Sequence, residues 1–217
     1  LKSYSVVTKL FFLFLSFFLY KVFFGFLKLS NIDAEGNERI TDFPMKSDLL
    51  GIDGICEQHY QLQAIALTEC NVIVIPFRKV VCALRDTPAF EDYLYRAISR
   101  SLVREQSSKT LTNLLSAEAR LARFLILLSE RYEALGFSST CYVLRMTRQE
   151  IGSYLGMTIE TVSRCLTALA QAALIKVEQR NITLLNKRAL RTLQRLPLLH
   201  KNNGKDKISN LEKQIIV

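Results

Sequence analysis

The sequence predicts an α+β fold in which short strands come first, a long helix follows, and a pair of short helices with a small hairpin closes the ordered chain. Three observations carry this. Up to about residue 80, apolar residues fall in short runs separated by turn residues. After Pro88, Phe90, Leu94, Ile98 and Leu102 recur at every fourth position, the spacing of one helical face. At Thr147 a Thr-x-x-Glu capping box opens a further helix, which Gly156 stops.

The N-terminus is the least ordinary stretch. Leu10 to Leu27 is almost wholly apolar and rich in Phe, interrupted only by Ser16, Lys21 and Gly25. It superficially resembles a membrane segment or signal peptide, but Lys21 lies inside the run, no small-residue cleavage site follows, and about 18 residues is the short limit for spanning. A membrane location is therefore disfavoured. Residues 1–18 are set apart as an atypical hydrophobic N-terminus, for which a rearranged or frameshifted gene start is one alternative to a genuine segment.

From Leu27 the pattern becomes strands. Leu27, Leu29 and Ile32 precede the turn Asp33-Ala34-Glu35-Gly36-Asn37, and Glu38-Arg39-Ile40 resumes beyond it, a β-hairpin. A second hairpin is expected where Leu62, Ile65 and Leu67 lead through Glu69-Cys70-Asn71 into Val72-Ile73-Val74-Ile75. The amphipathic helix after Pro88 runs towards Ser116. It is longer than a small core needs, which predicts an exposed seam for a second copy of the chain. Ala117 to Leu135 forms the next helix, with Gly136 as its C-terminal stop.

Charge divides the chain. Residues 1–94 hold nine Lys/Arg against eleven Asp/Glu, whereas residues 95–217 hold 20 against nine. A basic surplus confined to the C-terminal half suits a polyanion-binding domain joined to a neutral one. The five cysteines, Cys56, Cys70, Cys82, Cys141 and Cys165, form no C-x-x-C pair, so no disulfide framework or zinc site is signalled. A reduced, cytoplasmic protein fits. No nucleophile–base pair, paired-carboxylate motif or Gly-rich phosphate loop speaks for an enzyme.

The reading head follows. Thr147 and Glu150 cap a short helix running to Leu155, Gly156 supplies the turn, and Thr158 caps a second helix from Ile159 to about Ala172. Ile151 and Leu155 on the first helix, and Val162, Leu166 and Leu169 on the second, give each an apolar face. Two short helices joined by a Gly-containing turn is the helix-turn-helix pattern. On the second helix Glu160, Ser163, Arg164 and Thr167 point away from the apolar stripe. An Arg placed there pairs with guanine, and a Glu accepts from cytosine N4. Ile175-Lys176-Val177 and Ile182-Thr183-Leu184 flank Glu178-Gln179-Arg180-Asn181 as a small wing.

The stretch from Met146 through Thr147-Arg148-Gln149-Glu150-Ile151, Gly156 and Thr158-Ile159-Glu160-Thr161-Val162-Ser163-Arg164 resembles the signature of the CRP–FNR regulator family, closest to its FNR-type branch. The resemblance implies a partial β-roll sensor of the cyclic-nucleotide-binding type at 19–87, a dimerisation helix at 88–116 and a winged helix-turn-helix at 117–197. A flexible polar tail at 198–217 follows. It implies a homodimer on double-stranded DNA that reads a palindromic TTGAT-like site through Glu160, Ser163 and Arg164, with Thr158, Thr167 and Arg148 completing the DNA-binding set.

The sensor departs from the family. Ile73 stands where FNR proteins carry an iron–sulfur cysteine in the strand before Ile-Pro-Phe, Cys70 lies three residues earlier facing the opposite way, and the N-terminal cysteines of that branch are not found. No cofactor is expected. At the places where relatives anchor a cyclic nucleotide with Glu and with Arg-Ser, this chain has Gly51-Ile52 and Tyr60-Gln61, so no cyclic nucleotide is expected either. Asp48 resembles a surface residue through which FNR contacts RNA polymerase, making the polymerase a further partner. Ala172-Ala173 replaces the Gly that often ends the recognition helix, at a cost of about 1 kcal/mol. Two other readings stay open on sequence alone: a membrane-tethered protein, and a nonfunctional remnant of such a regulator.

Overall fold

The computed structural model describes residues 18–193 apart from 58 and 112–114. Most of the atypical N-terminus and the polar tail therefore lie outside the described residues. In chain order the elements are β1 (Phe18–Phe24), β2 (Leu27–Ile32), β3 (Glu38–Asp42), β4 (Leu49–Leu50), α1 (Gly54–Glu57), β5 (Gln63–Ala66), β6 (Asn71–Pro76), α2 (Phe77–Asp86) and α3 (Pro88–Leu111). There follow α4 (Ala117–Ala134), β7 (Cys141–Val143), α5 (Arg148–Leu155), α6 (Ile159–Gln171), β8 (Ile175–Glu178), β9 (Asn181–Leu184) and α7 (Lys187–Leu193). They form two compact units, one of 1–110 with 145–156 and one of 111–144 with 157–217.

The first unit is built on two three-stranded antiparallel sheets, ordered β4-β1-β6 and β3-β2-β5. Val22, Leu27, Leu50, Ala64 and Cys70, drawn from both sheets, pack together, so the core lies between the layers. The described part of the apolar N-terminal run is thus the central strand β1, with Leu19 and Val22 buried and Phe23 and Phe24 exposed. No helix among the described residues is long and apolar enough to cross a membrane. Between β1 and β2, Gly25 has φ +100°, and a Cβ there would collide with Cys70 Sγ and the Glu69 carbonyl.

The first expected hairpin forms as β2–β3, its turn closed by Asp33 Oδ1 accepting from the Asn37 N–H at 2.7 Å. The second does not. β5 pairs with β2 and β6 pairs with β1, so the two strands belong to different sheets. The residues between them do not turn back; Leu67 N–H donates to the Phe26 carbonyl at 2.8 Å and Phe26 N–H to Thr68 Oγ1 at 2.9 Å. The chain is pinned to the bend between β1 and β2 and crosses there from one sheet to the other. Alternation fixes which face a residue takes, not which strand it pairs with.

A helix also begins earlier than expected. α2 starts at Phe77 directly after β6, where strand character is expected to continue to about residue 80. Val80 is buried, and Phe77 and Leu84 pack beside it against Leu19, Leu49 and, from α3, Leu94 and Ala97. α3 is 24 residues long and starts on Pro88, whose fixed φ suits a first helical turn. Arg104 of α3 reaches the strands, with Nη1 2.9 Å from Asp48 Oδ1 and Nε 3.4 Å from Asp42 Oδ2.

In the second unit α4 packs against α6 and α7. Leu121, Leu125, Ile126 and Leu128 of α4, Val162, Leu166 and Leu169 of α6, and Leu190 of α7 are buried. Ser116 caps α4 by accepting from the Ala119 N–H at 3.1 Å, and Gly136, at φ +80°, ends it as expected. The wing is a three-stranded sheet ordered β7-β9-β8, with β7 an addition that three residues of sequence did not signal. Tyr142 of β7 donates its hydroxyl to the Leu125 carbonyl at 2.7 Å and stacks on Tyr132, fastening the sheet to α4.

Candidate DNA-reading site

The first helix of the reading head, α5, is opened by a complete capping box. Thr147 Oγ1 accepts from the Glu150 N–H at 3.2 Å, and Glu150 Oε2 accepts from the Thr147 N–H at 2.7 Å. Gly156 ends it in the left-handed region at φ +63°, where a side chain is strained. Only Gly156, Met157 and Thr158 separate α5 from α6. Thr158 caps α6 by accepting from the Thr161 N–H at 3.2 Å.

On α6 the buried side is Val162, Cys165, Leu166 and Leu169. Glu160, Arg164 and Thr167 are exposed and Ser163 is half-buried, so these four and the cap residue Thr158 are brought together on one helix and its first turn. Burial pushes the Cys165 thiol up to about 11, Glu118 adding to the rise while Arg164 and Arg120 oppose it. Cys165 is a core thiol on the reverse of the reading face.

Two of the candidate side chains interact with their own helix. The Glu160 carboxyl is held below the usual range by its own backbone N–H and by Thr158, so it is ionised and drawn to the helix N-terminus. Thr167 Oγ1 donates to the Ser163 carbonyl at 3.1 Å. Arg148 is exposed on α5, in the other compact unit. At the wing turn Gln179 adopts φ +56° and Arg180 is exposed, while Lys176 is engaged by Glu178 at 2.7 Å.

The far end of α6 carries the feature that the Ala172-Ala173 pair predicts. Ala173 sits at φ +53°, with its N–H on the Ala170 carbonyl and the Leu174 N–H on the Leu169 carbonyl, both at 3.0 Å. This is a Schellman stop with alanine at the position that favours glycine.

A model described as the Crp-like helix-turn-helix domain matches residues 119–193. The transcriptional regulatory protein btr of Bordetella pertussis is 38% identical over 174 residues, 80% of this chain and 72% of that protein. The chain belongs to the CRP–FNR family, in its FNR branch. The transcriptional activator protein anr of Pseudomonas aeruginosa is 37% identical over 162 residues, 75% of this chain and 66% of that protein. Among solved structures, FixK2 from Bradyrhizobium japonicum matches with a TM-score of 0.78 at 22% identity, covering 90% of this chain and 99% of that one; at this identity the likeness concerns the fold. This CRP–FNR chain is a DNA-binding transcription regulator and not an enzyme.

Asp48 does not have the surface character its resemblance suggested. Its carboxylate accepts from Arg104 and from the Met45 N–H at 2.9 Å each, and its side chain is 14% exposed. Cys70 Sγ is a hydrogen-bond donor to the Phe26 and Thr68 carbonyls at 3.2 Å, with burial raising its pKa. Tyr60 packs its ring over Gly51 and donates its hydroxyl to the Phe18 carbonyl at 2.8 Å.

Sequence reasoning missed the partners of α5. Ser153 Oγ accepts from the Ile40 N–H of β3 at 3.0 Å, across 113 residues of sequence. Lys28 of β2 lies 3.0 Å from Glu38 and 3.2 Å from Glu150, and the Tyr154 ring packs on Phe43 with centroids 5.3 Å apart. No local pattern announces these contacts.

Proposed function

We propose that this regulator acts as a homodimer in the cytoplasm, with one α6 per protomer in the major groove of each half of a palindromic TTGAT-like site. Glu160, Ser163 and Arg164 read base edges, and Thr158, Thr167 and Arg148 complete the contact set. The observation that carries the reading is the polar face of α6, on a helix capped at both ends and backed by buried Val162, Leu166 and Leu169. The domain division at 19–87, 88–116 and 117–197 accompanies it. Dimerisation is supported by α3, where Tyr95, Leu102 and Val103 are exposed while Leu94 and Ala97 are buried against the β-layers.

The sensor residues do not fit the family's usual ligands. An iron–sulfur cluster needs several thiolates, whereas among the described residues Cys70 is buried with its sulfur against the Phe26 and Thr68 carbonyls and Ile73 has no ligating atom. A cyclic nucleotide needs a cation for its phosphate, whereas the place beside Gly51 is occupied by the Tyr60 ring.

The test is a gel shift on a TTGAT-N4-ATCAA duplex at moderate salt. Preference over scrambled DNA supports the reading, and Arg164→Ala relaxes discrimination at one base by about 1–3 kcal/mol. Equal affinity for scrambled DNA refutes it.

A further inference from the structure

We infer that β3 and α5 form one latch, in which the Ser153 hydroxyl closes the free edge of a sheet and Lys28 ties that sheet to the α5 capping box, so that the two elements open and close together. The inference goes beyond the DNA reading above and rests on contacts within the first compact unit alone.

β3 is the end strand of the sheet β3-β2-β5, and an end strand turns a row of N–H and C=O groups away from its sheet. Ser153 of α5 meets two of them. Its Oγ accepts from the Ile40 N–H at 3.0 Å and donates to the Glu38 carbonyl at 3.4 Å, so one hydroxyl, acting as both acceptor and donor, takes groups that a further strand would take. Phe43, just past the strand, packs its ring on the next α5 residue, Tyr154.

A second tie runs from β2. Lys28 is 11% exposed, and its Nζ lies 3.0 Å from Glu38 and 3.2 Å from Glu150 Oε1. The other Glu150 oxygen closes the capping box on the Thr147 N–H, so the cation that neutralises this cap belongs to the sheet. α5 has eight residues, too few to persist as a helix by itself. Its order is borrowed from the layer it packs on, and the edge of that layer is in turn closed by α5. A perturbation of the β2–β3 layer therefore reaches the first helix of the helix-turn-helix directly.

Native-state hydrogen exchange on the full chain without DNA, read by NMR, tests the latch on the α5 amides, on the β3 amides bonded to β2 and, as a control, on α4. In wild type the first two sets should share one opening free energy and one dependence on low urea. Ser153→Ala carries a test of sign. Alanine is the better helix former, so a serine that served α5 alone would give slower α5 exchange on replacement. The latch predicts about tenfold faster exchange in both α5 and β3, because Ile40 and Glu38 lose their partner. Lys28→Met should act in the same direction and Lys28→Arg should restore wild-type exchange. Gln149→Gly, at an exposed position of α5, should quicken both sets alike by about threefold, and α4 should not respond to any of these changes.

Slower or unchanged α5 exchange in Ser153→Ala overturns the inference. So does a Gln149→Gly chain in which α5 quickens and β3 does not, since that is the response of two elements that open independently. Should Lys28→Met fail to fold, the wild-type chain decides: unequal urea dependences for the β3 and α5 amides overturn the latch, and equal ones support it. No DNA enters these measurements, so failure of the half-site reading and failure of the latch are told apart.

Discussion

Replacing Ala173 by glycine should make the protein more stable. Ala173 ends α6 at φ +53°, a left-handed conformation that costs an L-residue about 1–2 kcal/mol through the clash of Cβ with the backbone. Its methyl is exposed, so removing it gives up no packing. Glycine offsets part of the gain by adding about 0.4–1 kcal/mol of conformational entropy to the unfolded chain. The net stabilisation is about 0.5–1 kcal/mol, which for a chain of this size raises the melting temperature by about 1–4 °C. Ala172 provides the control. It precedes Ala173 at φ −76° and ψ 8°, where alanine is unstrained, so Ala172→Gly should lose about 0.5–1 kcal/mol. Differential scanning calorimetry on both variants decides the matter. A lower melting temperature for Ala173→Gly, or equal responses at the two positions, would refute the strain argument.

Three further outcomes are expected. Arg104→Met leaves Asp42 and Asp48 facing each other without their cation and should cost about 3 kcal/mol in urea denaturation; adding Asp48→Asn should recover part of this, and a loss within error would show that the cluster contributes nothing. Iodoacetamide near pH 8 should label exposed Cys82 and Cys141 in the native state and spare buried Cys70 and Cys165 until the chain unfolds, with peptide mass spectrometry as the readout and early labelling of Cys165 as the contrary result. Because the folded Cys165 pKa is raised from 9.0 to about 11, the unfolded chain ionises first, so this group's contribution disappears as pH rises between those values; a Cys165→Ala chain should lose that part of the alkaline decline.

The reading head was legible because its signals are local. Thr147 and Glu150 are one helical turn apart, Gly156 and Thr158 punctuate the turn, and Val162, Leu166 and Leu169 repeat at helical spacing. Each feature needs only its neighbours in sequence to be recognised. β2, β3, β5 and β6 were legible as strands but not as a sheet order, while β1 lay hidden in the Phe-rich apolar run. Gln63–Ala66 and Asn71–Pro76 alternate as a hairpin would, yet the Phe26 carbonyl takes the connecting residues, and Phe26 lies some forty positions upstream. α2 was hidden for a different reason. Its apolar Phe77, Val80 and Leu84 follow a strand of the same residue types, so the change from strand to helix spacing is masked at the boundary.

The candidate DNA-reading side chains divide along the same line. Which residues face outward on α6 follows from the 3.6-residue period, and Glu160, Ser163, Arg164 and Thr167 stand on that face. What those groups hold in the free protein does not follow from the period. Thr167 spends its hydroxyl on the Ser163 carbonyl, and the Glu160 carboxylate is drawn to the first turn by Thr158 and its own N–H. Asp48 shows the same limit from the other side, since its inward turn depends on Arg104, 56 residues away. A reader whose polar atoms are already partly satisfied exchanges bonds when it meets DNA instead of acquiring them. On the reading proposed above, a matching base edge would return the bond that Glu160 gives up and a mismatched one would not, so local contacts on α6 would raise the penalty for the wrong base without strengthening attachment to the phosphates.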